Sequence, residues 1–180
     1  MDSGGGAIML SAQVANMLFY LLVITFLVIR RLPTRKAEGV GATLAGFLGC
    51  ILPLLVLLLP RREVSHPLSV ILAFSGLIGI VAAIYVMLWL GRSFSILPQA
   101  RGLVIDGPYR LVRHPLYLAE FLVIFSRAFE LAQPWPFVIV VLVLSSQIAR
   151  MGFEEQILCK TYPAYCDYMR KTARLIPGFY

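Results

Sequence analysis

Apolar runs separated by short basic clusters set the layout of the chain. Residues 7–29 carry no charge, and about 20 helical residues suffice to cross a hydrocarbon layer of about 30 Å. Arg30, Arg31, Arg35 and Lys36 end that run. Residues 40–59 form a second, with Pro53 inside it as a kink point and Pro60-Arg61-Arg62-Glu63 closing it. A third, residues 68–90, contains Ser75-Gly76 and Gly79, small residues that permit close helix approach, and it stops at Gly91-Arg92. Residues 116–129 and 136–148 are each short for a full crossing. Pro134-Trp135-Pro136 between them reads as a tight turn with an interfacial aromatic, so the pair is expected to form a helical hairpin, tilted or only just spanning. Beyond it, Tyr162, Tyr165 and Tyr168, followed by Arg170, Lys171, Arg174 and Ile176-Pro177, predict a short amphipathic helix on the membrane surface, which Pro163 breaks or starts. The pattern predicts an all-α polytopic membrane protein. It is a single domain of about five transmembrane helices, three within residues 7–90, then a polar loop, the hairpin and a cytoplasmic C-terminal helix over residues 91–177.

Composition excludes a soluble globule. Of the 180 residues 59% are hydrophobic and 14% charged, and a mean hydropathy of +0.84 leaves too little polar surface to coat one. The net charge of +7 sits in clusters between apolar runs, where it sets topology, so nucleic acid is not an expected partner. Of the sixteen Lys and Arg, only Arg61, Arg62 and Arg127 fall on one side of a five-span layout and thirteen on the other. That bias places the N-terminus outside and the C-terminus in the cytoplasm, together with residues 107–117. Met1-Asp2-Ser3-Gly4-Gly5-Gly6 lacks the basic start of a signal peptide, so the first run is expected to stay in the mature chain. Cys50, Cys159 and Cys166 show no pairing or metal spacing and are expected to be reduced.

The stretch Gly107-Pro108-Tyr109-Arg110-Leu111-Val112-Arg113-His114-Pro115-Leu116-Tyr117 concentrates polar groups and rings at the mouth of an apolar region. Pro115 forces His114 out of the helical region and itself suits a first helical turn. The N–H groups of Leu116, Tyr117 and Leu118 are then expected to point at the cytoplasm as an anion site. The same residues also suit a plainer role, as snorkelling arginines and belt tyrosines. A second constellation closes the last apolar run, where Arg150 and Glu154 share a helix face. Glu120 lies inside the fourth run, where burial is costly, and is expected at the site mouth.

In this order and spacing, residues 101–109, Arg113-His114-Pro115-Leu116-Tyr117, Arg150 with Glu154-Glu155 and Leu158, the tail tyrosines and Arg174-Leu175-Ile176-Pro177 resemble the isoprenylcysteine carboxyl methyltransferase family. The related phospholipid methyltransferases look similar. The resemblance runs from Gly91 to Pro177 and implies an integral membrane enzyme using S-adenosylmethionine on the cytoplasmic side. It implies cofactor contacts for Tyr109, His114, Pro115, Leu116 and Tyr117, with Leu103 and Val104 at the adenosine end and Glu154 as acidic ligand. Arg150 corresponds to the arginine that meets the substrate; Glu120, from its own place in the fourth run, is read as a second substrate-side residue. Two departures stand out: Ala119 occupies the family's usual glycine position, and the tail spacing before the tyrosines is one residue short.

An activated sulfonium methyl needs alignment and water exclusion rather than a protein nucleophile, which accounts for the lack of a Ser/His/Asp or Cys/His set. A carboxylate acceptor would pair with Arg150. An amine or thiol acceptor wants a base, for which Glu155 or His114 is at hand. The acceptor is expected to be a lipophilic small molecule or membrane lipid, and no obligate protein partner is evident. Two other classes fit the same residues: an NADPH-dependent reductase of the steroid reductase type, which shares an Arg-His-Pro-x-Tyr piece, and a non-enzymatic membrane scaffold protein.

Overall fold

In the computed structural model, residues 3–178 are described; Met1 and Asp2 of the N-terminal hexapeptide lie outside them. Six α-helices dominate: α1 (Ser3–Ile29), α2 (Val40–Leu55), α3 (His66–Leu90), α4 (Pro115–Ala128), α5 (Trp135–Thr161) and α6 (Pro163–Lys171). Proline stands in the first turn of α3, α4, α5 and α6, where its missing N–H leaves no helical bond unmade. Gly91, at φ +50°, ends α3 by turning the chain in a way a Cβ would resist. In α2, Pro53 stands two residues before the α-helix gives way to a 3-10 turn.

Leu10–Ile29, His66–Ser93 and Trp135–Thr161 are long and apolar enough to cross a membrane, while α2 and α4 are shorter. The second half of the expected hairpin is thus not short. Residues 135–161 form one continuous helix, because Gln147, Arg150 and Glu155 bury their polar ends inside the bundle. A hydropathy reading stops at the first charge, whereas the helix continues through it. Large apolar side chains such as Met17, Leu21 and Val28 of α1 and Ile71, Phe74 and Val81 of α3 remain exposed, forming surface suited to lipid. The protein is an integral membrane protein.

The basic loops gather at one end. Arg31 N–H donates to the Arg92 carbonyl at 2.8 Å, and Arg92 Nε to the Ile29 carbonyl at 2.8 Å, tying the ends of α1 and α3 together. A two-residue antiparallel ladder, β1 (Arg35–Lys36) with β2 (Gln99–Ala100), continues the tie. At the opposite end Arg62 N–H reaches the Glu130 carbonyl at 3.0 Å, joining the loop after α2 to the loop after α4.

Gly79 makes the α3–α4 contact close. A Cβ there would stand 2.8 Å from Val123 Cγ2 and 3.1 Å from the Ala119 carbonyl oxygen, and Ser75 and Ser126 share a hydroxyl hydrogen bond of 2.8 Å along the same seam. Ala83, Val86 and Met87 of α3 pack with Leu116 and Ala119 of α4 and with Tyr109 and Phe94 in a core at the basic end. A second core, with Ile124, Ala128, Val140 and Val143, fills the other end.

The cysteine expectation is corrected. Cys159 and Cys166 form a disulfide, and only Cys50 is free. Pro163 turns α6 back on the end of α5, which brings two residues seven positions apart to a Cα separation of 5.2 Å.

Candidate functional site

At the basic end a cavity of about 740 Å³, counting its open mouth, lies between the loop after α3, the start of α4 and the C-terminal half of α5. Leu103, Val104, Tyr109, His114, Leu116, Tyr117, Arg150 and Glu154 all line it, so two patches about forty residues apart in sequence meet in one wall. Pro115, Glu155 and Glu120 are not among the lining residues. Pro115 is buried as the first residue of α4 and sets the helix that carries Leu116 and Tyr117.

Local chemistry fixes these positions. Gly107 has φ +60° and a Cβ there would lie 2.5 Å from the Trp89 ring, so a glycine lets the loop lie flat against α3. The following 3-10 turn, Gly107–Arg110, carries Tyr109 inward. His114 has φ −128° and ψ 58°, outside the helical region as the following proline requires. The anion-site expectation needs one correction: the Leu118 N–H already donates to the His114 carbonyl at 3.4 Å. This is the ordinary bond of the fourth helical residue to the cap, and it leaves Leu116 and Tyr117 as the candidate donors.

Glu154 is the electrostatic centre of the cavity. Its Oε1 accepts the Tyr117 hydroxyl hydrogen at 2.8 Å and Arg150 Nε at 2.9 Å. Its Oε2 lies 3.9 Å from His114 Nδ1, beyond hydrogen-bond length, and so keeps acceptor capacity facing the cavity. Arg150, 7% exposed, also donates from Nη2 to the Ser95 carbonyl at 2.7 Å and lies over the Tyr117 ring, 5.1 Å from its centroid. A buried guanidinium held by a carboxylate, a carbonyl and an aromatic face is neutralised rather than stranded. Glu120 sits one helical turn deeper along α4 than Tyr117, not at the mouth, and accepts from Gln147 Nε2 at 3.2 Å.

Glu155 faces a different set of groups. Its carboxylate meets His114 Nε2 at 3.1 Å, Arg174 through Nε and Nη2, and Arg113 Nε at 3.2 Å. Arg174 arrives because the tail runs beside the motif. Arg113 N–H donates to the Ala173 carbonyl at 2.9 Å and His114 N–H to the Arg174 carbonyl at 3.1 Å. The Tyr168 hydroxyl donates to the Tyr109 carbonyl at 2.5 Å, and burial pushes its pKa up to about 12. Burial likewise raises Tyr109 and Tyr165 well above the ordinary phenol range.

Ser95, Gln99, Gly102, Leu158 and Tyr165 also line the cavity, and none of them is given a site role from sequence. Leu158 carries a usable signal, since it continues the α5 face of Arg150 and Glu154 at steps of four. Tyr165 is brought in by the turn at Pro163, and Ser95 by the loop after Gly91, neither of which has a local pattern.

The profile of a family described as phospholipid methyltransferase matches residues 64–165, from the start of α3 to Tyr165. No individual curated protein matches the chain. The matched segment takes in more than half of the chain and all of the residues lining the cavity, and the chain belongs to the phospholipid methyltransferase family.

Proposed function

We propose that the protein uses S-adenosylmethionine to methylate a lipophilic acceptor at the cytoplasmic face of its membrane. The observation that carries this reading is the Glu154 carboxylate, anchored through Oε1 by Tyr117 and Arg150 and open through Oε2 to the cavity. An anionic acceptor beside Leu103, Val104 and the Tyr109 ring fits a ligand with an ammonium group at one end and an aromatic base at the other. The family supports methyl transfer, and the Lys and Arg distribution supports a cytoplasmic site.

When bound, S-adenosylmethionine supplies an activated sulfonium methyl, so no protein nucleophile is required. Glu154 Oε2 would accept from its ammonium, the Leu116 and Tyr117 N–H groups at the start of α4 would hold its carboxylate, and Leu103 and Tyr109 would flank its base. Arg150 orients a carboxylate acceptor such as that of a prenylated thiol acid; a lipid amine or thiol would approach the same end of the cavity. Tyr165 and Leu158, where α6 folds over α5, complete the wall of the cavity. The test is titration of the purified protein with S-adenosylhomocysteine and, separately, NADPH, followed by incubation of membrane extracts with methyl-labelled cofactor. Saturable S-adenosylhomocysteine binding and label transfer to a lipid fraction support the proposal. NADPH binding alone, or neither ligand, overturns it in favour of a reductase or a scaffold.

A further inference from the structure

We infer that Glu155 is a positioning residue, held by the C-terminal segment through Arg174, that fixes the orientation and tautomer of His114 in the cavity wall. The inference deepens the proposed function and rests on it for the identity of the ligand, but not for the geometry.

Three independent pieces of chain meet at Glu155. His114 belongs to the motif before α4, Glu155 to α5, and Arg174 to the segment after α6. Glu155 is 5% exposed and His114 6% exposed, and a carboxylate can only accept. His114 Nε2, 3.1 Å from Glu155 Oε1, therefore carries the hydrogen. The other ring nitrogen, Nδ1, is turned toward Glu154 Oε2 at 3.9 Å, on the cavity side. The ring also stacks on Tyr117, with centroids 5.4 Å apart and planes 21° from parallel, so its orientation is constrained along both its edge and its face. A histidine whose far nitrogen is held by a carboxylate presents a defined near nitrogen to a ligand.

Glu155 cannot do this alone, since an unpaired buried carboxylate would be too costly. Arg174 grips it with Nε and Nη2 in a two-toothed contact, and Arg113 Nε adds a second cation at 3.2 Å. The backbone ties from Arg113 and His114 to Ala173 and Arg174 keep the guanidinium in register with the motif it serves. Docking of the tail and geometry of the cavity are one event. This arrangement gives Glu155 no free oxygen with which to take a proton from an acceptor, so of the two bases considered from sequence only His114 faces the cavity.

The experiment exploits the chain's two histidines. Nitrogen-15 histidine labelling in detergent micelles gives two ring systems, His114 and, as internal control, His66 at the start of α3. The wild-type protein is expected to show His114 with Nε2 protonated, and Glu155→Ala to convert it to a mixture of tautomers while His66 is unchanged. Because Glu155→Ala strands Arg113 and Arg174 and can unfold the protein, Arg174→Ala and Arg174→Lys are recorded beside it. Arg174→Ala is expected to shift His114 partway and to weaken S-adenosylhomocysteine binding about tenfold, the loss of one charge-assisted contact, with Arg174→Lys restoring most of both. A wild-type His114 protonated only at Nδ1, or a His114 spectrum indifferent to Arg174→Ala in a folded protein, overturns the inference. Failure of the wild type to bind S-adenosylhomocysteine, with the tautomer as expected, overturns the proposed function instead and leaves the positioning role standing.

Discussion

Tyr117 and Glu154 are joined across the cavity by a hydrogen bond of 2.8 Å, the phenol donating to Oε1. The bond links the first turn of α4 to the C-terminal half of α5 and leaves the second carboxylate oxygen facing the cavity. Tyr117→Phe keeps the ring stacked on His114 and beneath Arg150 but removes the donor. A hydrogen bond to a charged group contributes about 1.5–3 kcal/mol, so S-adenosylhomocysteine affinity should fall about tenfold or more in a titration while the fold is retained.

Gly107→Ala should destabilise the protein without touching the ligand. The position has φ +60°, and a Cβ would lie 2.5 Å from the Trp89 ring. Left-handed backbone in a residue with a Cβ costs about 1–2 kcal/mol before the clash is added. Thermal unfolding in detergent should show a lowered midpoint, and Trp89 emission should change because the indole must move. An unchanged midpoint and spectrum would mean that the loop does not lie on α3.

Much of this was readable from sequence, and the reasons are local ones. Apolar run lengths placed α1 and α3, proline in the first turn marked the start of α4, Pro163 marked a break or start that proves to be the start of α6, and four-residue spacing put Arg150 and Glu154 on one face. The length of α5 was misjudged because hydropathy registers the charge on Arg150 but not the carboxylate, carbonyl and ring that neutralise it. Arg174 read as one more tail cation, since its link to Glu155 depends on pairing between residues 112 and 173, which leaves no periodic trace. Cys159 and Cys166 looked unpaired for the same reason: the turn at Pro163, not their spacing, brings them together.

The disulfide is countable. Alkylation under denaturing, non-reducing conditions should add one group per chain, at Cys50, and reduction beforehand should raise that to three in the intact mass. Three adducts without reductant would show that α6 is held to α5 without a covalent link.

Alkaline pH should loosen the tail. The charged form of tyrosine is the deprotonated one, and burial holds Tyr168 protonated up to about 12, against about 10 in an unfolded chain. Between those values the unfolded chain has released the proton and the native one has not, so stability is fully present below about pH 10 and falls as pH rises toward 12. Tyr109 and Tyr165 are shifted in the same direction and add to the effect. Unfolding followed against pH should show this decline, and Tyr168→Phe should flatten part of it.

The division of labour between Arg150 and Glu154 is decided by calorimetric titration of the wild type, Glu154→Ala and Arg150→Ala with S-adenosylhomocysteine, paired with turnover of an anionic acceptor. Glu154→Ala should bind the cofactor product at least tenfold more weakly, whereas Arg150→Ala, which leaves the carboxylate in place but removes one of its two anchors, should lose less affinity than Glu154→Ala and fail to turn over the acceptor. Undiminished binding by Glu154→Ala would remove the carboxylate from the cofactor site and, with it, the reason for reading this cavity as one.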